Sequence, residues 1–304
     1  MEGEQTELPI EPGTVRERYR DFAAEIERRE TSLQSDVPIE EPYGVSEPLY
    51  RLSERWDQSE KSLRTTSVLN VYHHSSDPAD LQALEPVLLG LDATINVLDD
   101  IIDTRQLEPD EKLDLTITTA FSNAYALGNI PPRHLSDVLQ RYYEYLVKLF
   151  QIPRVEERLL EQFTHAETRR ERLKTAEEIY AYRSMDMTIF AQIPAQILDL
   201  EAENADRLIS DLKSYRARRL LFKDLADTKR DLRDHDETPV LALLQNSADP
   251  HRIREFLLEL VGSFPYSATG RDHYADSLRT LERRPADLTA TIERRIREVK
   301  TDAI

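Results

Sequence analysis

Helical periodicity, interrupted by short proline-containing breaks, is the feature that most constrains how this chain folds. The chain has 304 residues but only seven glycines, and the alternating β-branched runs that indicate strands are nearly absent. Apolar residues recur instead at spacings of three and four, which is typical of amphipathic helices. Breaks such as Ser75–Pro78, Glu108–Asp110 and Gly128–Pro132 separate these segments. The sequence therefore predicts an all-α protein.

The positions of the breaks define the expected helices. An amphipathic first helix is expected around residues 15–26, followed by a loop over residues 33–48. Further helices are predicted over residues 49–74, 79–104, 109–127, 133–150, 154–171, 175–201, 204–232, 237–246, 250–262 and 268–300. Because no fixed-period repeat and no long linker is visible, we expect residues 1–48 to form an N-terminal helix and loop packed on one helical domain, residues 49–304.

The chain is strongly acidic, with a formal net charge of −18 and a pI near 4.9. This charge argues against nucleic acid as a partner. Only eight of the 40 basic residues are lysine, and cysteine is absent. Many acids with few lysines indicate a cytoplasmic protein of an extreme halophile, where molar salt screens charges over roughly 3 Å. An ordinary acidic protein of a high-GC organism is the alternative.

Cysteine-based and membrane-based functions are not expected. Without cysteine there is neither a disulfide nor a thiolate metal site. Met1 begins an acidic stretch that does not resemble a signal peptide. No run of about 18 apolar residues is present, so no segment is expected to span a membrane.

A first acidic cluster ends the apolar run Pro86–Leu98, in the sequence Asp-Asp-Ile-Ile-Asp. On a helix, Asp99 and Asp103 lie one turn apart on one face, with Asp100 beside Asp103. Hard cations such as Mg²⁺ relieve the repulsion among such carboxylates and prefer oxygen ligands shared with phosphates. Taken alone, the motif fits either a Mg²⁺ site or an acidic, solvated helix end.

A second acidic cluster follows another apolar segment. Asp224, Asp227 and Asp231 stand at positions i, i+3 and i+7, on one helical stripe. Lys229 and Arg230 lie between them. Two such clusters, each ending an apolar helix, are expected to face each other across one cavity and to bind Mg²⁺ ions that hold a diphosphate.

In these motifs the sequence resembles the trans-isoprenyl diphosphate synthases (polyprenyl synthetases) of the class I isoprenoid synthase superfamily. Asp99–Asp103 resembles the family's first aspartate-rich motif, DDxxD. Lys223–Leu244, which includes Thr238-Pro239, resembles the second motif and its downstream segment, and Lys61–Thr65 is similar to the family's GKRLRP segment. Order and rough spacing agree from about residue 50 to residue 246. With the acidic composition, the resemblance indicates a divergent haloarchaeal member with a single-domain bundle around a central cavity.

The resemblance also implies a Mg²⁺-dependent site that ionises an allylic prenyl diphosphate. The expected metal ligands are Asp99, Asp100, Asp103, Asp224, Asp227 and Asp231. The residues expected to bind the substrate are Lys61, Arg64, Arg105, Lys229 and Arg230. Those expected to take part in catalysis are Lys223, Arg183 and Thr188. Mg²⁺ would act as a Lewis acid on the leaving diphosphate, and preorganised cations would stabilise the developing charge.

The chain departs from the family pattern at several positions. Ser62 replaces an arginine of the basic segment, Met187-Thr188 stands where the family has Lys-Thr, and Lys223 replaces the first aspartate of the second motif. The family's Arg-Arg-Gly after the first motif is absent, with only Arg105 nearby. In the family, several of these positions bind the second substrate. The departures therefore argue against chain elongation, whereas binding of one Mg-diphosphate stays compatible with the sequence.

Three functional hypotheses follow. The first is a Mg²⁺-dependent prenyltransferase of isoprenoid biosynthesis, of the polyprenyl or geranylgeranyl diphosphate synthase type. The second is a class I terpene synthase-like diphosphate lyase, because Arg183 resembles the arginine with which terpene cyclases sense diphosphate. The third is a catalytically reduced homologue that acts as partner or regulatory subunit of an active synthase, favoured by Lys223. A homodimer, or a heterodimer with another synthase, is an open alternative for the assembly.

Overall fold

In the computed structural model, the residues described are 12–34, 64–72, 77–103, 109–234, 237–268 and 288–302. All regular structure within these ranges is helical and none of it is strand, which confirms the predicted all-α class. The helices are α1 (Pro12–Gln34), α2 (Arg64–Tyr72), α3 (Pro78–Asp103), α4 (Pro109–Gly128), α5 (Pro132–Leu149), α6 (Ile152–His165), α7 (Arg169–Arg183), α8 (Met185–Ile197), α9 (Ala202–Asp234), α10 (Pro239–Asn246), α11 (Pro250–Gly262) and α12 (Leu288–Asp302). None of them is both long enough and apolar enough to cross a bilayer.

The chain divides into two compact units. Unit 1 comprises Met1–Val138 with Ile193–Leu200, and unit 2 comprises Leu139–Gln192 with Glu201–Ile304. Helices α5 and α8 contribute residues to both units. The expected single bundle with a central cavity, and the expected boundary at residue 48, stay predictions.

Unit 1 is organised around the pairing of α3 with α4. Gly90 of α3 faces α4 so closely that an added Cβ would lie 2.7 Å from the Ala126 Cβ and 2.7 Å from the Ser122 carbonyl oxygen. The missing side chain therefore lets the two helices approach. From the other side, Phe22 of α1 packs on Tyr125 of α4, with ring centroids 4.1 Å apart. Burial on several sides explains why the α3 sequence is apolar almost all round its middle.

Unit 2 has its own core, formed by α6, α7, α9, α10, α11 and α12. Fully buried members of this core include Tyr180 of α7, Leu221 of α9, Leu257 of α11 and Ile292 of α12. The acidic second cluster lies on the same helix as Leu221. The core therefore fixes which face of α9 that cluster occupies.

Two of the predicted helices are divided differently in the structure. The sequence predicted helices over 154–171 and 175–201, but α6 ends at His165, α7 begins at Arg169, and Ser184 separates α7 from α8. Thr168 and Glu171 form a reciprocal capping box that begins α7. At Ser184 the backbone leaves the helical conformation, and the hydroxyl donates to the Tyr180 carbonyl oxygen at 2.6 Å. Such local side-chain contacts end a helix without interrupting its apolar periodicity.

Most other boundaries agree with the prediction to within a few residues. The predicted 79–104, 109–127 and 250–262 correspond to α3, α4 and α11. The predicted 49–74 and 268–300 lie partly outside the described residues, which include only α2 and α12 from these ranges.

Candidate functional site

The first acidic cluster lies at the C-terminal end of α3, in unit 1. The backbone is helical through Asp103, which places Asp99 and Asp103 one turn apart on that helix. The side chains of Asp99, Asp100 and Asp103 lie outside the described part of the structure. Their role as Mg²⁺ ligands stays a prediction from the sequence.

A buried aspartate earlier on α3 ties the start of α2 to this helix. The Asp92 carboxylate accepts hydrogen bonds from the Thr65 backbone N–H and from the Thr65 hydroxyl, both at 3.0 Å. The Asn96 side-chain amide donates to the Asp92 carbonyl at 2.7 Å and to its carboxylate at 3.2 Å. Asp92 is 1% exposed and Thr65 is fully buried, so these bonds fix the entry of the chain into α2.

This contact places the start of α2 on the same helix as the first acidic cluster. Arg64 is the first residue of α2, directly before Thr65. Asp92 and Asp99 are two turns apart on one face of α3, a rise of about 10 Å. The backbone that carries Arg64 therefore lies about two helical turns from Asp99. Lys61, the Arg64 side chain and Arg105 lie outside the described residues.

The second acidic cluster lies on α9, in unit 2, and two of its three carboxylates are buried. Asp224 and Asp231 are each 4% exposed, whereas Asp227 is half-buried. The stripe predicted from the i, i+3, i+7 spacing is thus helical, and the core of unit 2 covers part of it.

Asp224 already holds two donors from α7. The Tyr180 hydroxyl donates to its carboxylate at 2.8 Å and the Arg183 guanidinium at 2.6 Å. Arg183 also reaches Glu156 of α6, with Nε 3.3 Å from the carboxylate. The sequence singled out Arg183 and Asp224 as site residues but not their contact, and it did not single out Glu156. No local pattern signals a contact between residues 41 positions apart.

The pKa values in this network follow from burial and charge. Burial and the neighbouring Asp224 carboxylate raise the pKa of Tyr180 well above its usual value. Burial alone would lower the pKa of Arg183, but the carboxylates of Asp224 and Glu156 outweigh it and raise the pKa. The phenol therefore stays neutral and the guanidinium stays charged, so Asp224 is held by one neutral and one cationic donor.

Two arginines of α9, on either side of Asp224 in the sequence, also pair with acids. Arg230 pairs with Asp227 at 2.9 Å and approaches Asp231 at 3.8 Å. Arg216 pairs with the buried Asp186 of α8 at 2.8 Å. Most charges on this side of α9 are therefore balanced by a neighbour.

Lys223, unlike these arginines, has no such pairing with a described residue. Its side chain is exposed overall, and it forms no ion pair within 4 Å with any described residue. Desolvation lowers the pKa of Lys223, and repulsion from Arg216 and Arg230 lowers it further. Attraction to Asp227 and Asp224 offsets this shift only in part. A solvent-facing ammonium in such surroundings is suited to meet an anion.

The other predicted site residues lie in unit 2 without a common centre of contacts. Lys229 is exposed on α9, and Thr188 is half-buried on α8. Thr238, part of the motif tail, caps α10: its hydroxyl accepts from the Leu241 N–H at 3.1 Å, and Pro239 follows in the first turn. The Thr-Pro pair thus has a local structural role.

The described residues contain no group of three or more acidic or histidine side chains arranged to hold a metal ion. Tyr180 and Arg183 both contact the same oxygen, Oδ2, of Asp224, and Arg230 pairs with Asp227, so part of the capacity of both carboxylates is already used by protein donors. In unit 2 arginines occupy the place where the resemblance implies metal ions. In unit 1 the aspartates that would hold Mg²⁺ are the ones whose side chains are not described.

Unit 1 also contains a polar cleft of about 610 Å³ between α1, α3 and α4. It is lined by Arg18, Glu25, Glu85 and Tyr125, among others. Burial raises the pKa of Glu85, partly opposed by Arg18, and burial also raises the pKa of Tyr125. Glu85 stands 14 residues before Asp99 on α3, about 21 Å along the helix, so the cleft is separate from the first acidic cluster.

The chain matches no known family model, no curated protein and no solved structure. The fold and these contacts define an all-α protein with an acidic helix end in unit 1 and an ion-paired acidic stripe in unit 2.

Proposed function

We propose that the protein is a Mg²⁺-dependent enzyme of the isoprenoid synthase type that binds an allylic prenyl diphosphate at the acidic end of α3. The observation that carries this proposal is the bond between Asp92 and Thr65. It ties Thr65, the last residue of the segment that resembles the family's diphosphate-binding segment, to the helix that ends in the DDxxD-like motif.

In this proposal each group has a defined task. Asp99 and Asp103, one turn apart on α3, hold the cation, and Asp100 assists. Arg64, at the start of α2, contacts the diphosphate directly. Bound Mg²⁺ supplies Lewis-acid stabilisation of the leaving diphosphate. The prenyltransferase activity and the place in isoprenoid biosynthesis follow from the resemblance.

A second function is supported by the contacts of Asp224. Because Tyr180 and Arg183 both bond to this carboxylate, and Lys223 replaces a potential ligand beside it, the second acidic stripe is neutralised without metal. A homologue that binds a diphosphate but does not turn it over, and that assists an active synthase, would have this arrangement.

Product analysis tests these functions directly. The full chain is incubated in molar KCl with Mg²⁺ and allylic diphosphates of several lengths, with and without isopentenyl diphosphate, and the products are identified by mass spectrometry. Elongated products indicate a synthase, and cyclised or hydrolysed products indicate a lyase. We expect turnover to require Mg²⁺ and to be lost in Asp99→Asn. Asp80→Asn, an exposed change at the other end of α3, is the matched control and should leave turnover unchanged.

If no turnover is found, measurements of diphosphate binding decide whether the second function holds or neither function does. A chain that binds Mg-diphosphate in calorimetry but converts none of the substrates is the reduced homologue. Binding that is absent in the wild type and gained only in Lys223→Asp would indicate a homologue that has lost diphosphate binding, and would contradict both functions. Neither binding nor turnover in any of these proteins would contradict both functions.

A further inference from the structure

The polar cleft of unit 1 is lined by one face from each of three helices. On α1, Arg18, Phe22 and Glu25 stand at positions i, i+4 and i+7, so they share a face. Glu85 of α3 and Tyr125 of α4 belong to the other two walls. The volume of about 610 Å³ lies within the range of small-molecule sites. The cleft is therefore large enough for a ligand, and the groups on its walls determine which kind it accepts.

The acids of the cleft differ in how well their charges are compensated. Glu25 pairs with two arginines of its own helix. Asp21 is exposed, so water solvates its carboxylate. The Glu85 side chain is only 18% exposed, and the one described cation within ion-pairing distance, Arg18, stands 3.7 Å away. Glu85 is therefore the carboxylate of this cleft with the weakest compensation.

Two polar groups of the cleft have no hydrogen-bond partner among the described residues, namely the Glu85 carboxylate and the Tyr125 hydroxyl. Burial raises the pKa of Glu85, and Arg18 opposes this only in part. Burial also raises the pKa of Tyr125, and there the carboxylates of Glu25 and Glu85 outweigh Arg29. Both groups therefore lie where a further positive charge is favourable.

We propose that the cleft binds a small organic cation, a primary amine with an apolar body, whose ammonium group donates to the Glu85 carboxylate and the Tyr125 hydroxyl. An ammonium has three donors and no acceptor, so it suits two groups that both accept hydrogen bonds. It also compensates a mostly buried carboxylate, which is costly to leave without a partner. Pro86 and Leu89, which also line the cleft, offer an apolar surface to the rest of the ligand.

An anionic ligand fits this arrangement less well. The arginines of the lining, Arg18 and Arg29, already lie within 4.0 Å of carboxylates of their own helix. An anion would have to displace those carboxylates and would also approach Glu85. The cleft is about 21 Å along α3 from the first acidic cluster, so this proposal does not depend on the function proposed above.

Two glycines provide a matched pair of steric variants. Gly128 of α4 lines the cleft, and an added Cβ there would meet no atom within 4 Å. Its backbone is not in the left-handed region, so a side chain is tolerated. Gly262, at the end of α11 in unit 2, has equally open surroundings and the same backbone freedom. A large side chain at Gly128 therefore occupies ligand space, whereas the same side chain at Gly262 does not.

Calorimetry with three probes of similar shape tests the charge of the ligand. Phenethylamine, phenethyl alcohol and 3-phenylpropanoate are each titrated into the full chain in molar KCl, where a mostly buried pair is screened less than a surface pair. We expect the amine to bind about tenfold or more tightly than the alcohol, because a hydrogen bond to a charged group is lost in the alcohol, and the carboxylate not to bind. Absence of amine binding, an alcohol that binds as tightly, or a carboxylate that binds more tightly overturns the proposal.

Variants test the location of the amine. Glu85→Gln keeps the shape of the side chain and should weaken amine binding about tenfold or more, and Gly128→Phe should abolish it. Gly262→Phe should bind like the wild type, as should Asp103→Asn, which alters the acidic end of α3 instead. Circular dichroism should show equal helix content in all proteins. Wild-type affinity in Glu85→Gln or Gly128→Phe overturns the proposal, and so does a loss in Asp103→Asn, which would assign the amine to the acidic cluster.

Discussion

At the scale of single residues, the contact between Arg183 and Asp224 is the most consequential that the structure describes. Asp224 is almost fully buried, and its charge is compensated by Arg183 and by the hydroxyl of Tyr180. Removing one partner of a buried pair leaves an uncompensated charge, which costs more than the pair contributes. This network therefore matters for stability whether or not it also binds substrate.

Arg183→Ala should lower the free energy of unfolding by about 3 kcal/mol, because it leaves the Asp224 carboxylate buried without its cation. Denaturant unfolding in molar salt measures the change. The control is Arg169→Ala on the same helix, since Arg169 forms an exposed pair with Glu259, and such pairs contribute less than about 1 kcal/mol. Equal losses in the two variants would contradict the importance of the buried pair.

Tyr180 makes the stability of the fold depend on pH in the alkaline range. Its pKa is raised in the folded protein, whereas in the unfolded chain it returns to about 10. Above that pH the unfolded chain releases a proton that the folded protein retains, so stability falls as pH rises, by up to about 1.4 kcal/mol per pH unit. Below about pH 10 this contribution is fully present.

Tyr180→Phe should therefore flatten the decline of stability above about pH 10, even though loss of the bond to Asp224 makes the variant less stable by about 1 kcal/mol at neutral pH. Melting temperatures measured over a pH series give both effects. Tyr143→Phe, a change at an exposed ring, should leave the slope unchanged. If stability declines with pH as steeply in Tyr180→Phe as in the wild type, then Tyr180 does not have the raised pKa that its burial predicts.

At the scale of helices, the junction of α2 with α3 is the element on which the proposed site depends. Asp92 acts on the first turn of α2 as a capping carboxylate supplied by another helix. Its carboxylate accepts three hydrogen bonds in a buried position, two from Thr65 and one from Asn96, so its loss affects both the anchoring of α2 and the backbone position of Arg64.

Asp92→Ala should destabilise unit 1 by about 2 kcal/mol, the usual cost of losing hydrogen bonds to a charged acceptor. Hydrogen exchange should report faster exchange of the Thr65 amide and the first turn of α2. We also expect weaker Mg-diphosphate binding, although Asp92 is not a proposed ligand. Asp80→Asn, on the same helix but exposed, should change none of these. Unaltered protection of Thr65 in Asp92→Ala would contradict the anchoring role.

Helices with a continuous apolar stripe could be predicted from the sequence, whereas contacts between distant residues could not. The range of α3 follows from the apolar run after Asp77-Pro78, and the structure shows Asp77 capping that start, with its carboxylate 2.8 Å from the Ala79 N–H. The break at Ser184 depends on one hydroxyl bonding to the preceding turn, which apolar periodicity does not register. The pairing of Arg183 with Asp224 depends on how α7 packs on α9. The sequence could indicate Arg183 and Asp224 as candidates but not that they contact each other.

At the scale of the whole molecule, the net charge of −18 predicts a fold that depends on salt. In dilute buffer the charges repel over roughly 30 Å, and in molar salt over about 3 Å. Circular dichroism should therefore show loss of helicity, or a lower melting temperature, when salt is removed and full recovery when it is returned. Full helicity with an unchanged melting temperature in salt-free buffer would contradict the halophilic interpretation.

The central claim is that the acidic end of α3 binds a diphosphate through Mg²⁺, and calorimetry measures this most directly. An allylic diphosphate is titrated into the full chain in molar KCl, with and without Mg²⁺, using the wild type, Asp103→Asn and Asp80→Asn. We expect binding only in the presence of Mg²⁺, at least a tenfold weaker affinity in Asp103→Asn, and wild-type affinity in Asp80→Asn. Mg²⁺-independent binding, or equal affinity in Asp103→Asn and the wild type, would contradict the account.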